Sequence, residues 1–378
     1  MKLNFVKGAR LASTYALVGA IGVFGVASVA SAAAKPKKKV PVKAQVFTVE
    51  TPAKANLTEA GSSLLYPLWN LWAPAYQGKY SQVSLTTGAG GSGLGISEAA
   101  AGTINIGSSD AYLSPTQVQS TPSLMNIPLA ISSQVVVYNI PGVNAHLNLS
   151  GKIIAKIYEG QITNWNDSAI AAANPKVKLP SLPIVPLYRS DGSGDTFIFS
   201  QYLTKQDPSG WGKSVGFGTT VSWPKNASAL GENGNGGMVS ACQQTKGCIA
   251  YVGVSYLSNV LGGGMTYAAL MNGKGQYVNW SAKAVTLEAA SFKVFRNKGA
   301  VSMVDAKVRG GYPIINYEYA IVNSHQSSTG VAKSVRSLLE WAINPKDGNA
   351  KSYLSQVNFL PLPTSFAVAS LKLIKTIK

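Results

Sequence analysis

The stretch IVPLYRSDGSGDTF, residues 184–197, passes from a β-branched and aromatic run into a glycine-rich turn. It then enters the apolar positions Phe197, Phe199, Tyr202 and Leu203 at loose helical spacing. Read as a strand over 184–188, a turn and a helix start, it opens a strand-turn-helix unit. The same alternation recurs outward. Short runs at 83–87, 104–106, 134–139, 249–252 and 317–322 predict further strands. Leu64, Leu68, Leu71, Trp72 and Ala75 repeat along one helix face, and 331–343 predicts another amphipathic helix. Strands alternating with helices predict an α/β fold. No repeat at solenoid spacing is present. The proline- or glycine-rich stretches 179–186 and 231–237 read as surface connections.

A chain of 378 residues exceeds one ordinary core and suggests two domains of comparable size, which permits a cleft between them. The beginning carries Lys2, Lys7 and Arg10, an apolar run over 11–29 and the small triplet Ala30, Ser31, Ala32. This is the layout of a cleavable secretory signal over 1–32; a membrane anchor is the rival reading of the same run. Removal would leave a lysine-rich flexible tether over 33–54. The only cysteines are Cys242 and Cys248, so no cysteine is placed to carry a lipid at the new N-terminus. In an oxidising compartment the two are well placed to close a small loop as a disulfide. A metal site is the alternative, although His146 and His325 are remote and no acidic cluster adjoins the thiols.

The formal charge is +18, or +15 without the three basic signal residues, which raises the expectation of an anionic ligand. Charged residues make up only 13% of the chain, so the imbalance reflects scarce carboxylates as much as abundant lysines. No arginine-rich run with interleaved aromatics is present, which argues against nucleic-acid binding. Scarce carboxylates also limit acid denaturation, in keeping with an acidic exterior.

Three places put a small polar residue at an expected helix start, usually among glycines: Gly61-Ser62-Ser63-Leu64, Gly90-Gly91-Ser92-Gly93 and the 191–196 turn. A helix N-terminus offers unpaired amides and a partial positive charge, and a serine hydroxyl adds a donor. Any one such serine is ordinarily just a cap. Pro67 cannot donate the first intrahelical bond of a helix capped by Ser63, so that helix either starts late or kinks. Arg189 precedes the third turn, where its guanidinium could grip oxyanion oxygens, and Asp191 could orient it. Asp110 follows a short strand. As a turn residue it would be ordinary; facing an oxyanion it would require a ligand proton, admitting hydrogen phosphate and rejecting sulfate.

With these motifs in order, INIGSSDAYLS at 104–114, VVYNIPG at 136–142, IYEGQITNWND at 157–167, RSDGSGDTF at 189–197 and GCIAYV at 247–252, the chain resembles the phosphate-specific periplasmic substrate-binding proteins of ABC phosphate transporters, the PstS family. The resemblance runs from about 57 to 363. It implies the two-lobed periplasmic binding protein fold of type II, with mixed sheets flanked by helices and two hinge crossings, near 131–137 and 314–319. Lobe I would hold 55–131 and 317–378, and lobe II 132–316. It implies phosphate contacts from Ser63, Leu64, Ser92, Asp110, Arg189, Ser193, Gly194 and Asp195. The expected partners are inorganic phosphate and membrane permease subunits, with no cofactor or metal, no nucleic acid, a monomeric state and a periplasmic or other extracytoplasmic location.

Two departures stand out. Ser63-Leu64 replaces the family's usual Thr-Phe, and Asp195 replaces the usual threonine after Ser193-Gly194. If Asp195 faces the ligand ionised alongside Asp110, two ligand protons are needed; if it only caps its helix, monohydrogen phosphate is acceptable. The rival readings are another protonated oxyanion such as arsenate, a surface protein that holds a polyanion on its basic tether, and a phosphoester hydrolase. Neither Ser92 nor Ser193 completes Gly-x-Ser-x-Gly, and with two remote histidines a catalytic role is not expected.

Overall fold

A computed structural model describes residues 47–292 and 299–378. The expected signal segment and the tether up to 46 lie outside the described residues. The last part of that tether, 47–54, is fixed on the body: Arg336 Nε donates to Glu50 Oε2 at 2.9 Å, and the Glu50 amide donates to Glu340 Oε2 at 2.7 Å. No helix among the described residues is long and apolar enough to cross a membrane.

The strands in chain order are β1 (Ala55–Gly61), β2 (Val83–Ala89), β3 (Ile106–Ser109), β4 (Leu124–Tyr138), β5 (Asn148–Leu149), β6 (Val185–Arg189), β7 (Leu230–Glu232), β8 (Cys248–Gly253), β9 (Thr266–Tyr267), β10 (Ala269–Met271), β11 (Tyr277–Val278) and β12 (Ile315–Asn323). The main sheet runs β2-β1-β3-β12-β4-β8-β6-β7, with β9 also on β4, and β11-β10-β5 form a small second sheet. β1, β2 and β3 are mutually parallel, as are β6, β7 and β8, while β12 is antiparallel to β3 and β4, and β4 to β8.

β4 is the axis of this arrangement. Its 15 residues are buried throughout. It pairs with β12 as far as Ser133 and with β8 from Gln134 onward. The fold is therefore a mixed α/β one in which a single strand serves two half-sheets. Only the second part of β4, from 134, was expected from sequence. Pro128 argues against a strand interior, and the structure accommodates it beside a bulge, where the register shifts between Glu318 and Tyr319.

Each parallel strand leads into a helix. β1 is followed by Tyr66–Lys79, β2 by Ser92–Ala101, β6 by Gly194–Gln206 and β7 by Gly234–Gln244. The first starts late, with Pro67 in its opening turn where no intrahelical amide is required. Trp69, Trp72 and Tyr76 on this helix are fully buried, and Trp72 and Tyr76 meet Trp341 of the Thr329–Ile343 helix edge to face. Such aromatic contacts fix the helix on the sheet and so fix its N-terminal turn. The stretch 231–237, expected as a surface connection, instead ends β7 and starts the Gly234–Gln244 helix, and its Asn235 is fully buried. Glycine-rich sequence reads as loop because glycine weakens a helix, yet it is tolerated in a first turn packed against other backbone. Cys242 and Cys248 form a disulfide that ties the end of this helix to β8.

Candidate functional site

Ligands of open α/β sheets bind beyond the carboxyl ends of parallel strands. Here those ends carry the turn at 62–65, the helix starts at Ser92, Gly194 and Gly234, and Asp110. Asp110 accepts hydrogen bonds from the Ser62 hydroxyl on Oδ1 and the Ser92 hydroxyl on Oδ2, the latter at 3.3 Å. Its own amide donates to Ser92 Oγ at 3.2 Å. Gly194 comes in from the other half of the sheet. A Cβ there would lie 2.5 Å from both Asp110 Oδ2 and Ser92 Oγ, so only glycine allows this approach. Beside it the Gly93 amide donates to the Gly192 carbonyl at 2.7 Å, joining the second and third turns.

Arg189 ends β6 and lies over a buried aromatic wall. Its amide donates to the Tyr251 hydroxyl at 2.9 Å, and the Tyr251 ring stacks on Phe199 at 4.3 Å. Arg189 Nε donates to Asp191 Oδ1 at 2.6 Å, Nη2 meets Asp191 Oδ2, and Nη1 meets Asp195 Oδ2 at 2.8 Å. Asp195 also takes the Asn235 side-chain amide on Oδ2 at 2.6 Å and the Gln134 amide on Oδ1 at 3.0 Å. Asp195 is thus a counterion of Arg189 and more than a cap. Ser193 caps the helix, its hydroxyl accepting from the Thr196 amide at 3.2 Å.

Ser63 and Leu64 complete the ring. Ser63 Oγ accepts from both the backbone and side-chain nitrogens of Asn235, at 3.1 and 3.0 Å. Ser62, and not Ser63, caps the first turn, taking the Leu64 and Leu65 amides at 3.1 and 3.0 Å. The predicted residues Ser63, Leu64, Ser92, Asp110, Arg189, Asp191, Ser193, Gly194 and Asp195 therefore fall in one region, and all but the half-buried Asp191 are buried.

The electrostatics follow from burial. Loss of solvent pushes the Asp110 carboxyl up to about 7, with the Asp195 charge adding to the rise. Burial likewise raises Asp195, against Arg189, Asn235 and Gln134, which favour its ionised form. Burial also acts against the charged forms of Arg189 and Asp191. Their mutual bonds and charges outweigh it, so the guanidinium is held above its ordinary range and Asp191 below the usual carboxylate range. One cation thus faces three carboxyls.

Sequence reading missed four residues: Ser62, Gln134, Asn235 and Glu318. Asn235 carries the signal used for the other turns, a small polar residue among glycines at a helix start. Gln134 lies where β4 changes partners, and Glu318 is the one acid in the strand NYEYAIVN. His146 bonds the Tyr267 carbonyl at 2.8 Å and His325 the Ser324 hydroxyl at 3.2 Å, each away from the serines of the site.

The chain matches the PBP superfamily domain over residues 48–346. It is 34% identical over 323 residues to the phosphate-binding protein PstS of Xylella fastidiosa strain Temecula1, covering 84% of each chain. It is 31% identical over 319 residues to the PstS of Pasteurella multocida strain Pm70, covering 84% of this chain and 89% of that one. The crystal structure of the phosphate binding protein from Stenotrophomonas maltophilia shares the fold, with a TM-score of 0.63 at 19% identity over 84% of this chain and 93% of that one.

Proposed function

The chain belongs to the PstS family of phosphate-binding proteins, and from that premise we propose that it binds inorganic phosphate outside the cytoplasmic membrane and delivers it to the permease subunits of an ABC phosphate importer. The observation that carries this reading is the buried meeting of three helix starts and one arginine, paired with Asp191 and Asp195, around Asp110. Fixed amide and hydroxyl dipoles stabilise an oxyanion without a full set of counter-charges. The hydroxyls of Ser63, Ser92 and Ser193, the amides of Leu64 and Gly194, and Arg189 supply the donors. Asp110 accepts the ligand's proton, which sulfate lacks at neutral pH. Arsenate carries the same protons and competes for the same contacts.

Asp195, where the family resemblance leads to the expectation of a threonine, adds negative charge beside the ligand and favours the dihydrogen species. Closure joins the lobe made of 55–131 and 317–378 to the lobe made of 132–316, with the Gly93 to Gly192 bond supporting a closed form that the permease would recognise. A cleaved signal over 1–32 would export the protein as a monomer.

Titration calorimetry tests the reading. The wild type is expected to bind phosphate and arsenate and to ignore sulfate, and Asp110→Asn to narrow the phosphate-to-sulfate gap by about tenfold or more. A wild type that takes up no phosphate would overturn the assignment.

A further inference from the structure

We infer that Glu318 is a specificity-determining positioning residue of this site: from behind the cleft it holds a proton and donates it to Asp110, which leaves Asp110 as an acceptor for a protonated oxyanion. This rests on the oxyanion reading of the cleft. In the antiparallel pair of β3 with β12, Ala320 faces Ser108 and Tyr319 faces Ser109. The next step of that register sets Glu318 opposite Asp110. Asn316 Nδ2 ties them from the side, donating to Glu318 Oε1 at 3.1 Å and to the Asp110 carbonyl at 3.3 Å. The Ser132 hydroxyl donates to the same Glu318 Oε1. Oε2 is buried with no donor facing it.

Two carboxylates side by side and cut off from water cannot both be ionised at ordinary cost, so the pair shares a proton. Its location follows from the neighbours. Asp110 is faced by two serine hydroxyls, by the Arg189 charge and, in the opposite sense, by Asp195. Among the described residues the groups set against Glu318, beyond Asp110, are the neutral Ser132 and Asn316. The donorless Oε2 is where a carboxylic O–H belongs, and Asp110 is the neighbouring acid to which it would be directed. Burial, with the neighbouring Asp110 second, holds the Glu318 carboxyl well above the usual carboxylate range.

The consequence is chemical selection. With its rear bond supplied by Glu318, Asp110 presents only lone pairs to the cleft, and an anion without a proton meets repulsion. Remove that donor, and Asp110 gains a reason to keep a proton of its own. It then becomes a donor that accepts sulfate.

The test combines a spectrum with a titration. In ligand-free protein at pH 7, the infrared difference between the wild type and Glu318→Gln is expected to show the loss of one protonated carboxyl band. An unchanged band would place the proton elsewhere and overturn the proposal. In calorimetry, Glu318→Gln, which keeps a neutral donor, is expected to hold phosphate within about threefold of the wild type. Glu318→Leu is expected to cut the phosphate-to-sulfate preference by about tenfold or more, and an unaltered preference would count against the idea. Should the leucine variant not fold, the infrared band and the glutamine variant decide. A wild type that binds no phosphate would instead sink the phosphate reading, and the ligand-free band would still report on Glu318.

Discussion

Arg189 Nη1 stands 2.8 Å from Asp195 Oδ2, with each side chain only 1% exposed, and Asp191 closes on the other edge of the same guanidinium. Among the described residues the one cation of the site is therefore matched twice before any anion arrives. Asp195→Thr removes one of those charges, restores a hydroxyl donor and leaves the Arg189 to Asp191 pair intact. Phosphate affinity at pH 8 is expected to rise by about tenfold, the effect of shifting one buried interaction by a pKa unit. Calorimetry of the variant checks this, and an affinity equal to or below that of the wild type would show that Asp195 is needed as the counterion.

The pH dependence of binding has a definite sign. Burial and the Asp195 charge raise Asp110 to about 7, and the excess of carboxylates favours a singly charged ligand. Above the range where the ligand loses its second proton the complex must draw that proton from solution, so affinity is expected to fall from about pH 8 to about pH 9 by up to about tenfold. Below about 7 the Asp110 carboxyl of the empty site is itself protonated and has to release that proton to act as an acceptor, so affinity gains nothing further on the acid side. Equal dissociation constants at pH 8 and pH 9 would contradict the singly charged ligand.

Stability should follow pH in the same direction. Burial raises Glu59 from 4.5 to about 8 and Glu288 from 4.5 to about 7. Each binds its proton more tightly folded than unfolded. Their contribution is complete below the unfolded value near 4.5 and is lost as pH climbs through 7 to 8. The slope approaches about 1.4 kcal/mol per pH unit for a fully differing group. The ligand-free melting temperature is expected to be higher at pH 5 than at pH 8 by calorimetry. A melting curve that moves the other way would contradict the assignment of neutral carboxyls to the core.

Gly93 tests the contact between turns. A Cβ there would sit 3.0 Å from Gly192 Cα, and both partners are backbone with little room to move. Gly93→Ala should raise the phosphate dissociation constant by about tenfold and change the melting temperature of the ligand-free protein little. Loss of stability with unchanged affinity would assign this contact to folding alone.

The strand-turn-helix units were legible because their signals are local: an apolar run, glycine at the turn, a hydroxyl at the helix start. Arg189 and Asp191 could be paired on paper because they lie two positions apart. The contacts that complete the site are not local. Asn235 reaches Ser63 across 172 positions, and Glu318 meets Asp110 only through strand register. A lone acid in an apolar strand is visible in the sequence, but its partner is not. Ser62 and Ser63 illustrate the finer limit. Adjacent hydroxyls on one turn point apart, one to Asp110 and one to Asn235, and nothing in their identity says which does which.

The handover on β4, from β12 at Ser133 to β8 at Gln134, makes the two halves one continuous ribbon. Were one half to rotate against the other, as proposed for closure, the motion would be taken up as torsion in a few residues of this rod, with no seam of ladder bonds to unzip. Amides along β4 should then resist solvent exchange equally in the empty and occupied states. Gln134 sits at the handover and bonds both the Asp195 carbonyl and its carboxylate, so the residue that would feel such torsion is also the one that touches the charge at the centre of the site.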